Sequence, residues 1–232
     1  MIRLAVMFGL FLMLSIGASA SPKVVQSSTI EFPSNGRVIV QAREEVHKFP
    51  SMLFISEKNG RVLLQRTIRD KAGWLVPVND GLAPPNLRFR VIRSAGFDGP
   101  IIMSVGVDHG GSDNHFYLTV FGEIAGKLRS LNDEPIFANI QGGYYLGRLS
   151  DKLGGGLVTW NFIWGNGINE GHYSNHRYEA RVYKLQGDRF RLTHRRVSRK
   201  RYSGDGSGSL REIGIKVVDQ RRGIPAIKDS LD

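Results

Sequence analysis

Short apolar runs, each of roughly six residues, alternate with clusters of Gly, Asn, Asp and Ser along most of the chain. The clear runs are residues 37–42, 52–56, 62–68, 87–92, 101–107, 116–121, 157–164, 178–185 and 189–193. Several alternate apolar and polar positions with a period of two, which is typical of strands with one buried face. The pattern therefore predicts an all-β fold. The one helix signal is Ser209, placed three residues before Glu212 in capping-box spacing, which predicts a short C-terminal helix.

Three segments share a hairpin plan, in which an apolar strand is followed by a tight turn with glycine and by a second strand. They begin at Met52, Tyr117 and Tyr178. Their turn glycines, Gly60, Gly126 and Gly187, are 66 and 61 residues apart. Asn-Gly, as at Gly60, is a strong two-residue hairpin signal. The recurrence predicts an internal repeat.

The second and third segments also match upstream, where an apolar strand is followed by a long polar loop. Both loops end in Asn-His, at His115 and at His176, again 61 residues apart. Each unit is therefore predicted to be an antiparallel four-stranded meander with a long loop between its second and third strands. This is the plan of a propeller blade.

Over roughly residues 87–196 this rhythm resembles the FG-GAP and related β-propeller repeats of exported bacterial proteins. The resemblance implies a β-propeller-like or partial propeller fold and calcium-binding loops. The chain departs from the family in those loops, because Asp108 and Asp113 are the only acidic residues of the first loop and residues 165–176 contain no Asp. A β-sandwich is the alternative fold.

Residues 1–20 have the composition of a secretory signal peptide. Arg3 precedes an apolar run over residues 4–16, and small residues follow up to Ala20. The run is shorter than the ~20 residues that a membrane-spanning helix needs. We expect cleavage after Ala20, no transmembrane segment afterwards, and a secreted or periplasmic protein.

Four regions are predicted along the chain. They are a signal peptide (1–20), an N-terminal β unit (21–83), two blade-like β repeats (84–202), and a linker with a basic C-terminal tail (203–232). The tail from Leu210 has few large apolar residues and is expected to dock loosely or stay mobile. An incomplete ring of blades would expose strand edges, which favours an oligomer or a second subunit.

The chain is basic and lacks cysteine. Its 32 Lys and Arg against 21 Asp and Glu give a net charge of +11, and residues 194–201 alone hold five Lys or Arg. A positive field favours polyanions, glycans with acidic groups or an anionic envelope surface as partners. An exported protein without cysteine fits a bacterial setting better than a eukaryotic one.

The two long loops hold the candidate ligand-binding residues. These are Asp108, His109, Asp113, Asn114, His115, Trp164, His172, Asn175 and His176. If the repeats stack, the loops lie side by side, and four histidines could converge with acidic residues to hold zinc or calcium. The alternative is that these side chains close their own loops by hydrogen bonds to the backbone.

Trp160, Phe162 and Trp164 have equal parity and are predicted to share one face of a strand. They are either β core or a stacking platform for a sugar ring or a base, with Arg177 and Arg181 nearby. No nucleophile motif or phosphate-binding glycine loop is present in the sequence.

These observations favour an exported β-repeat protein with a non-enzymatic binding or scaffolding role, no obligatory cofactor, and the long loops as its recognition face. Two alternatives remain. One is a secreted hydrolase or metal-dependent enzyme that uses the His, Asp and Glu residues of the loops, and the other is a binder of polyanions or of the envelope surface.

Overall fold

A computed structural model describes residues 21–45, 48–69, 87–93, 97–108, 115–139, 141–150, 153–165, 170–171, 174–204 and 206–216. The predicted signal peptide lies outside these residues. So do most of the predicted 203–232 tail and most of the chain between the first two sheets.

The described chain is all-β with one short helix, as predicted, and its thirteen strands form three antiparallel sheets. The first sheet contains β1 (Lys23–Phe32), β2 (Gly36–Glu44), β3 (Ser51–Ser56) and β4 (Val62–Thr67). The second contains β5 (Leu87–Ile92), β6 (Ile101–Asp108), β7 (His115–Ile124), β8 (Lys127–Ser130) and β9 (Ile136–Asn139). The third contains β10 (Gly143–Ser150), β11 (Gly154–Ile163), β12 (Arg177–Gln186) and β13 (Arg189–Val197), and α1 (Ser207–Glu212) follows it.

Each sheet is a meander in which strands adjacent in sequence are also adjacent in space. In the second sheet β8 and β9 pair with successive parts of β7, so together they form its outer edge. The three predicted hairpins are present, and each joins the third and fourth strands of its sheet. Gly60, Gly126 and Gly187 occupy these turns with φ of 68°, 73° and 62°, a conformation that favours glycine.

The three sheets stack in chain order. One apolar cluster joins the first sheet to the second through Phe54 and Phe121, whose ring centroids are 5.1 Å apart. A second cluster joins the second sheet to the third through Phe116 and Tyr144, whose centroids are 5.6 Å apart. A third cluster packs the opposite face of the third sheet against α1. Sheets that are consecutive in the chain therefore bury their facing surfaces against each other.

Polar contacts show that the stacked sheets have their corresponding ends on the same side. We call the end that carries the β2–β3, β6–β7 and β11–β12 connections the loop end. There, the Asn139 amide donates to Asn161 Oδ1 at 2.7 Å, joining the second sheet to the third. At the opposite end, the Ser34 amide donates to Glu123 Oε1 at 2.9 Å, joining the first sheet to the second.

The C-terminal segment differs from the sequence prediction. The helix begins at Ser207 after Gly206, and Ser209 is a buried residue inside it rather than its N-cap. The Glu212 carboxylate instead accepts hydrogen bonds from the Arg199 and Lys200 amides and from the Tyr202 hydroxyl. The expectation of a loosely docked tail is wrong for its first part, because Leu210, Ile213 and Ile215 are buried against the third sheet.

Candidate functional site

The structure describes part of the predicted ligand-binding set. His115, Trp164, Asn175 and His176 are described, and Asp108 is described only as the last residue of β6. The other predicted residues lie outside the described part of the chain, namely His109, Asp113, Asn114 and His172.

His176 ties the β11–β12 connection to the segment that follows β13. Its backbone bridges to Tyr202, its Nε2 lies 3.0 Å from the Gly171 carbonyl, and its Nδ1 lies 3.3 Å from Glu170 Oε1. Arg201 Nη1 donates to Glu170 Oε1 at 2.5 Å and to the Asn175 carbonyl at 3.1 Å. The imidazole is fully buried. This network fits the loop-closing alternative of the sequence analysis.

The predicted aromatic face is present on the α1 side of the third sheet. Trp160 and Phe162 are core residues, and the rings of Phe162 and Trp164 meet edge to face at 5.0 Å. Trp164 is 47% exposed, so it is the one ring of the three that a ligand reaches.

His115 and His176 are not brought together. His115 has the parity of Tyr117, which packs toward the first sheet, and its ring contacts Phe137. His176 has the parity of Tyr178, on the α1 side of the third sheet. The two imidazoles therefore point away from each other, on sheets that pack about 10 Å apart. Within the described ranges, no three His, Asp or Glu side chains lie close enough together to hold a metal ion.

A different group of residues forms a charged cluster on the other face of the third sheet. The register places Thr159 opposite Arg181 and Arg181 opposite Arg195, which makes a row across three strands. Arg195 Nε donates to Glu179 Oε2 at 2.5 Å, and Arg181 Nε donates to Glu179 Oε1. One carboxylate therefore holds two guanidinium groups side by side.

The cluster is buried at its base and open at its rim. Glu179 is 6% exposed, whereas the side chains of Arg181 and Arg195 are 39% and 64% exposed. Leu192 and Val197 lie on the same face of β13 and are 50% and 37% exposed, so the second sheet does not cover this area. We call the surface formed by these five residues the arginine face.

The arginine face includes part of a basic edge strand, β13. Within the described part of the chain, β13 pairs with β12 alone, and it carries Arg189, Arg191, Arg195 and Arg196. Arg189 reaches Asp133 of the second sheet at 3.2 Å, and Arg196 Nη1 donates to the Ile213 carbonyl at 3.2 Å. The strand thus combines structural contacts with a row of positive charge.

In the sequence analysis, Arg181 was named without being connected to Glu179. A Glu-x-Arg spacing within a strand places both side chains on one face, and this signal is readable from the sequence. The contribution of Arg195 depends on the pairing of β12 with β13, and that pairing cannot be read from the sequence.

Acid is expected to weaken the fold through the ion-paired glutamates. Burial raises the pKa of Glu179, but hydrogen bonds from Arg195 and Arg181 outweigh it and leave the pKa below the usual range. Glu123 likewise has a lowered pKa, because hydrogen bonds from Ser34 and Asn35 outweigh its burial. A lowered folded-state pKa stabilises above the unfolded value of about 4.3, and that stability is lost as pH falls through the folded-state pKa.

Urea unfolding measured from neutral to acidic pH tests this expectation. The free energy of unfolding should be constant near neutrality and decline below about pH 4.3. Glu179→Gln should lower stability at neutral pH and flatten that decline. An unchanged slope in the variant would show that Glu179 contributes nothing to the acid sensitivity.

Tyr144→Phe is expected to stabilise the protein. Tyr144 is 4% exposed, its hydroxyl has no hydrogen-bond partner among the described residues, and burial raises its pKa to about 12. Removing a buried hydroxyl without a partner should increase the free energy of unfolding by about 1 kcal/mol. Tyr178→Phe is the matched control, because the Tyr178 hydroxyl donates to the Gly204 carbonyl at 2.8 Å and its loss should destabilise. Urea unfolding of both variants measures the difference, and a less stable Tyr144→Phe would contradict the assignment.

Comparison with known proteins gives no relative for this architecture. The chain matches no family model, no curated protein and no solved structure. Among the described residues, no helix combines the length and the apolar composition that a bilayer crossing requires.

Proposed function

We propose that this chain is an exported, non-enzymatic binding protein and that its ligand is an anionic polysaccharide bound on the arginine face. The supporting observation is the pair of guanidinium groups held by buried Glu179 on a surface that the second sheet leaves open. The signal-peptide pattern of residues 1–20 supports export.

The arrangement suits an oxyanion for a physical reason. Arginine presents five N–H donors in a fixed fork, and each of the two side chains uses only some of these donors in its hydrogen bonds to Glu179. Because Glu179 already restrains both side chains, less rotamer entropy is lost when an anion binds. The remaining N–H groups can donate charge-assisted hydrogen bonds to sulfate, phosphate or carboxylate oxygens.

The surroundings favour a polymer over a small ion. Leu192 and Val197 offer apolar contact beside the charges, as the carbon faces of sugar rings require. The excess of 32 basic over 21 acidic residues adds a long-range attraction that raises the association rate of a polyanion.

Binding of a fluorescein-labelled, heparin-derived hexasaccharide tests the proposal. The purified protein should bind it at about 50 mM NaCl and lose affinity steeply toward about 500 mM, because salt screens exposed charges. A neutral dextran of equal length should not compete. Single-stranded DNA of equal charge should compete more weakly than the unlabelled hexasaccharide. No binding at low salt would overturn the proposal, and tighter binding of the DNA would replace it with a nucleic-acid function.

A further inference from the structure

A cavity of about 600 Å³ lies where the outer strands of the first and second sheets meet. It is separate from the arginine face. Its lining comes from the segment before β3, from β4 and the segment that follows it, and from the connection between β8 and β9. The lining residues are Phe49, Gln65, Arg66, Thr67, Arg69, Asp133 and Glu134. The volume falls within the 300–1,000 Å³ of small-molecule sites and accommodates a mono- or disaccharide.

Contacts from all three sheets fix one wall of this cavity. Arg66 Nη2 of the first sheet donates to the Asp133 carbonyl at 2.6 Å. The Asp133 carboxylate pairs with Arg189 of the third sheet at 3.2 Å. Asn132 is buried, and its Nδ2 donates to the Glu134 carbonyl at 2.6 Å. The wall is therefore held by the fold and does not have to be ordered by a ligand.

The lining combines one aromatic ring with hydrogen-bonding groups of both kinds. Phe49 supplies the ring, and the other six residues are polar or charged. Arginine only donates, carboxylates only accept, and Gln65 and Thr67 do both. Sugar hydroxyls donate and accept at once, so neighbouring hydroxyls match such a mixed set.

The charged groups of the lining are matched in number. Arg66 and Arg69 stand against Asp133 and Glu134, and Asp133 also pairs with Arg189 of the third sheet, so the lining offers no concentrated charge of one sign, in contrast to the arginine face. An apolar ligand would take these polar groups out of water without forming new hydrogen bonds to them, at a cost in free energy. A neutral polyol with one carbon-rich face satisfies both constraints.

We infer that this cavity binds a neutral sugar residue, with its carbon face against Phe49 and its hydroxyls on the surrounding polar groups. The inference goes beyond the proposed anion binding, because it concerns another site and an uncharged ligand.

Calorimetric titration with cellobiose, maltose, lactose and diacetylchitobiose as probes tests the inference. At least one probe should bind with a dissociation constant near 1 mM or below. Phe49→Ala should weaken that binding about tenfold, which corresponds to about 1.4 kcal/mol. Phe137→Ala is the matched control, because this half-exposed ring of the second sheet is not part of the cavity lining. It should leave the affinity unchanged.

A second variant guards against a folding defect in Phe49→Ala, since Phe49 also packs against the core of the first two sheets. Glu134→Gln removes one acceptor charge and should weaken the same probe severalfold, and its thermal unfolding, measured alongside, shows whether the fold is intact. Absence of binding for all four probes, or wild-type affinity in both cavity variants, overturns the inference. The hexasaccharide titration of the same variants reads the arginine face separately, so a failure at one site is distinguishable from a failure at the other.

Discussion

Gly142→Ala is expected to destabilise the protein by about 3 kcal/mol, the upper part of the range for overpacking a closed site. A Cβ at Gly142 would lie 1.8 Å from the Trp160 carbonyl oxygen and 2.6 Å from Asn139 Oδ1. The nearest atom belongs to the backbone of β11, so it cannot turn aside as a flexible side chain would. The junction of the second and third sheets would have to open, which weakens the adjacent bond from the Asn139 amide to Asn161.

Urea unfolding of Gly142→Ala against Gly171→Ala measures this effect. A Cβ at Gly171 meets no atom within 4 Å, so the control makes the same chemical change in open space. Its stability should stay within about 0.5 kcal/mol of the wild type, as is usual for surface substitutions. Equal stability of the two variants would show that the sheets do not meet as closely as described.

Replacing Arg181 and Arg195 together with Gln is expected to weaken hexasaccharide binding about thirtyfold. Two charge-assisted contacts of about 1 kcal/mol each would be lost at this partly exposed site. The same titration as for the wild type, at fixed salt, measures the change. A second double variant, with both arginines replaced by Lys, keeps the charge and leaves partners for Glu179. It should lose about tenfold, because lysine cannot present the planar two-pronged donor set.

The control for these variants removes the same charge elsewhere. Lys58→Gln with Arg61→Gln acts at the exposed β3–β4 turn of the first sheet and should change affinity less than about threefold, through the long-range field alone. Thermal unfolding of every variant shows whether Glu179, left without its arginines, has destabilised the sheet. If the turn variant lost as much affinity as the arginine variants, net charge rather than the arginine face would account for binding.

Much of the fold could be predicted from the sequence, because local signals determine it. Turn glycines and period-two alternation predicted three hairpins, and each joins the third and fourth strands of a sheet. β1, β9 and β10 were not predicted as separate strands. Four successive polar residues interrupt β1, and Gly143 and Gly147 within β10 resemble turn signals. A Cβ at Gly143 would meet the Trp160 ring at 2.3 Å, so this glycine serves packing between strands, and packing has no local signature.

The predicted start of the helix was wrong for a similar reason. Ser209 with Glu212 has capping-box spacing, but Glu212 is drawn instead to the amides after β13. A contact across 13 residues of chain outweighs a local cap worth about 1 kcal/mol.

The charged cluster was only partly predictable, because one irregularity decides it. The pairing of β12 with β13 shifts by one residue between Val182 and Tyr183. Without that shift, His194 would lie opposite Arg181 and Arg195 would point to the other face of the sheet. No residue in the sequence marks the bulge. Glu179 and Arg181 could thus be placed on one face by parity, whereas the second arginine required the three-dimensional register.

We propose that the two arginines held by Glu179 contact an anionic polysaccharide. The most direct measurement is a titration of the ¹⁵N-labelled protein with the heparin-derived hexasaccharide, followed through the arginine Nε–Hε signals. We expect the signals of Arg181 and Arg195 to shift first and furthest, with little change at Arg61 of the first sheet. Shifts that were largest at Arg61, or equal over all arginines, would contradict the proposal.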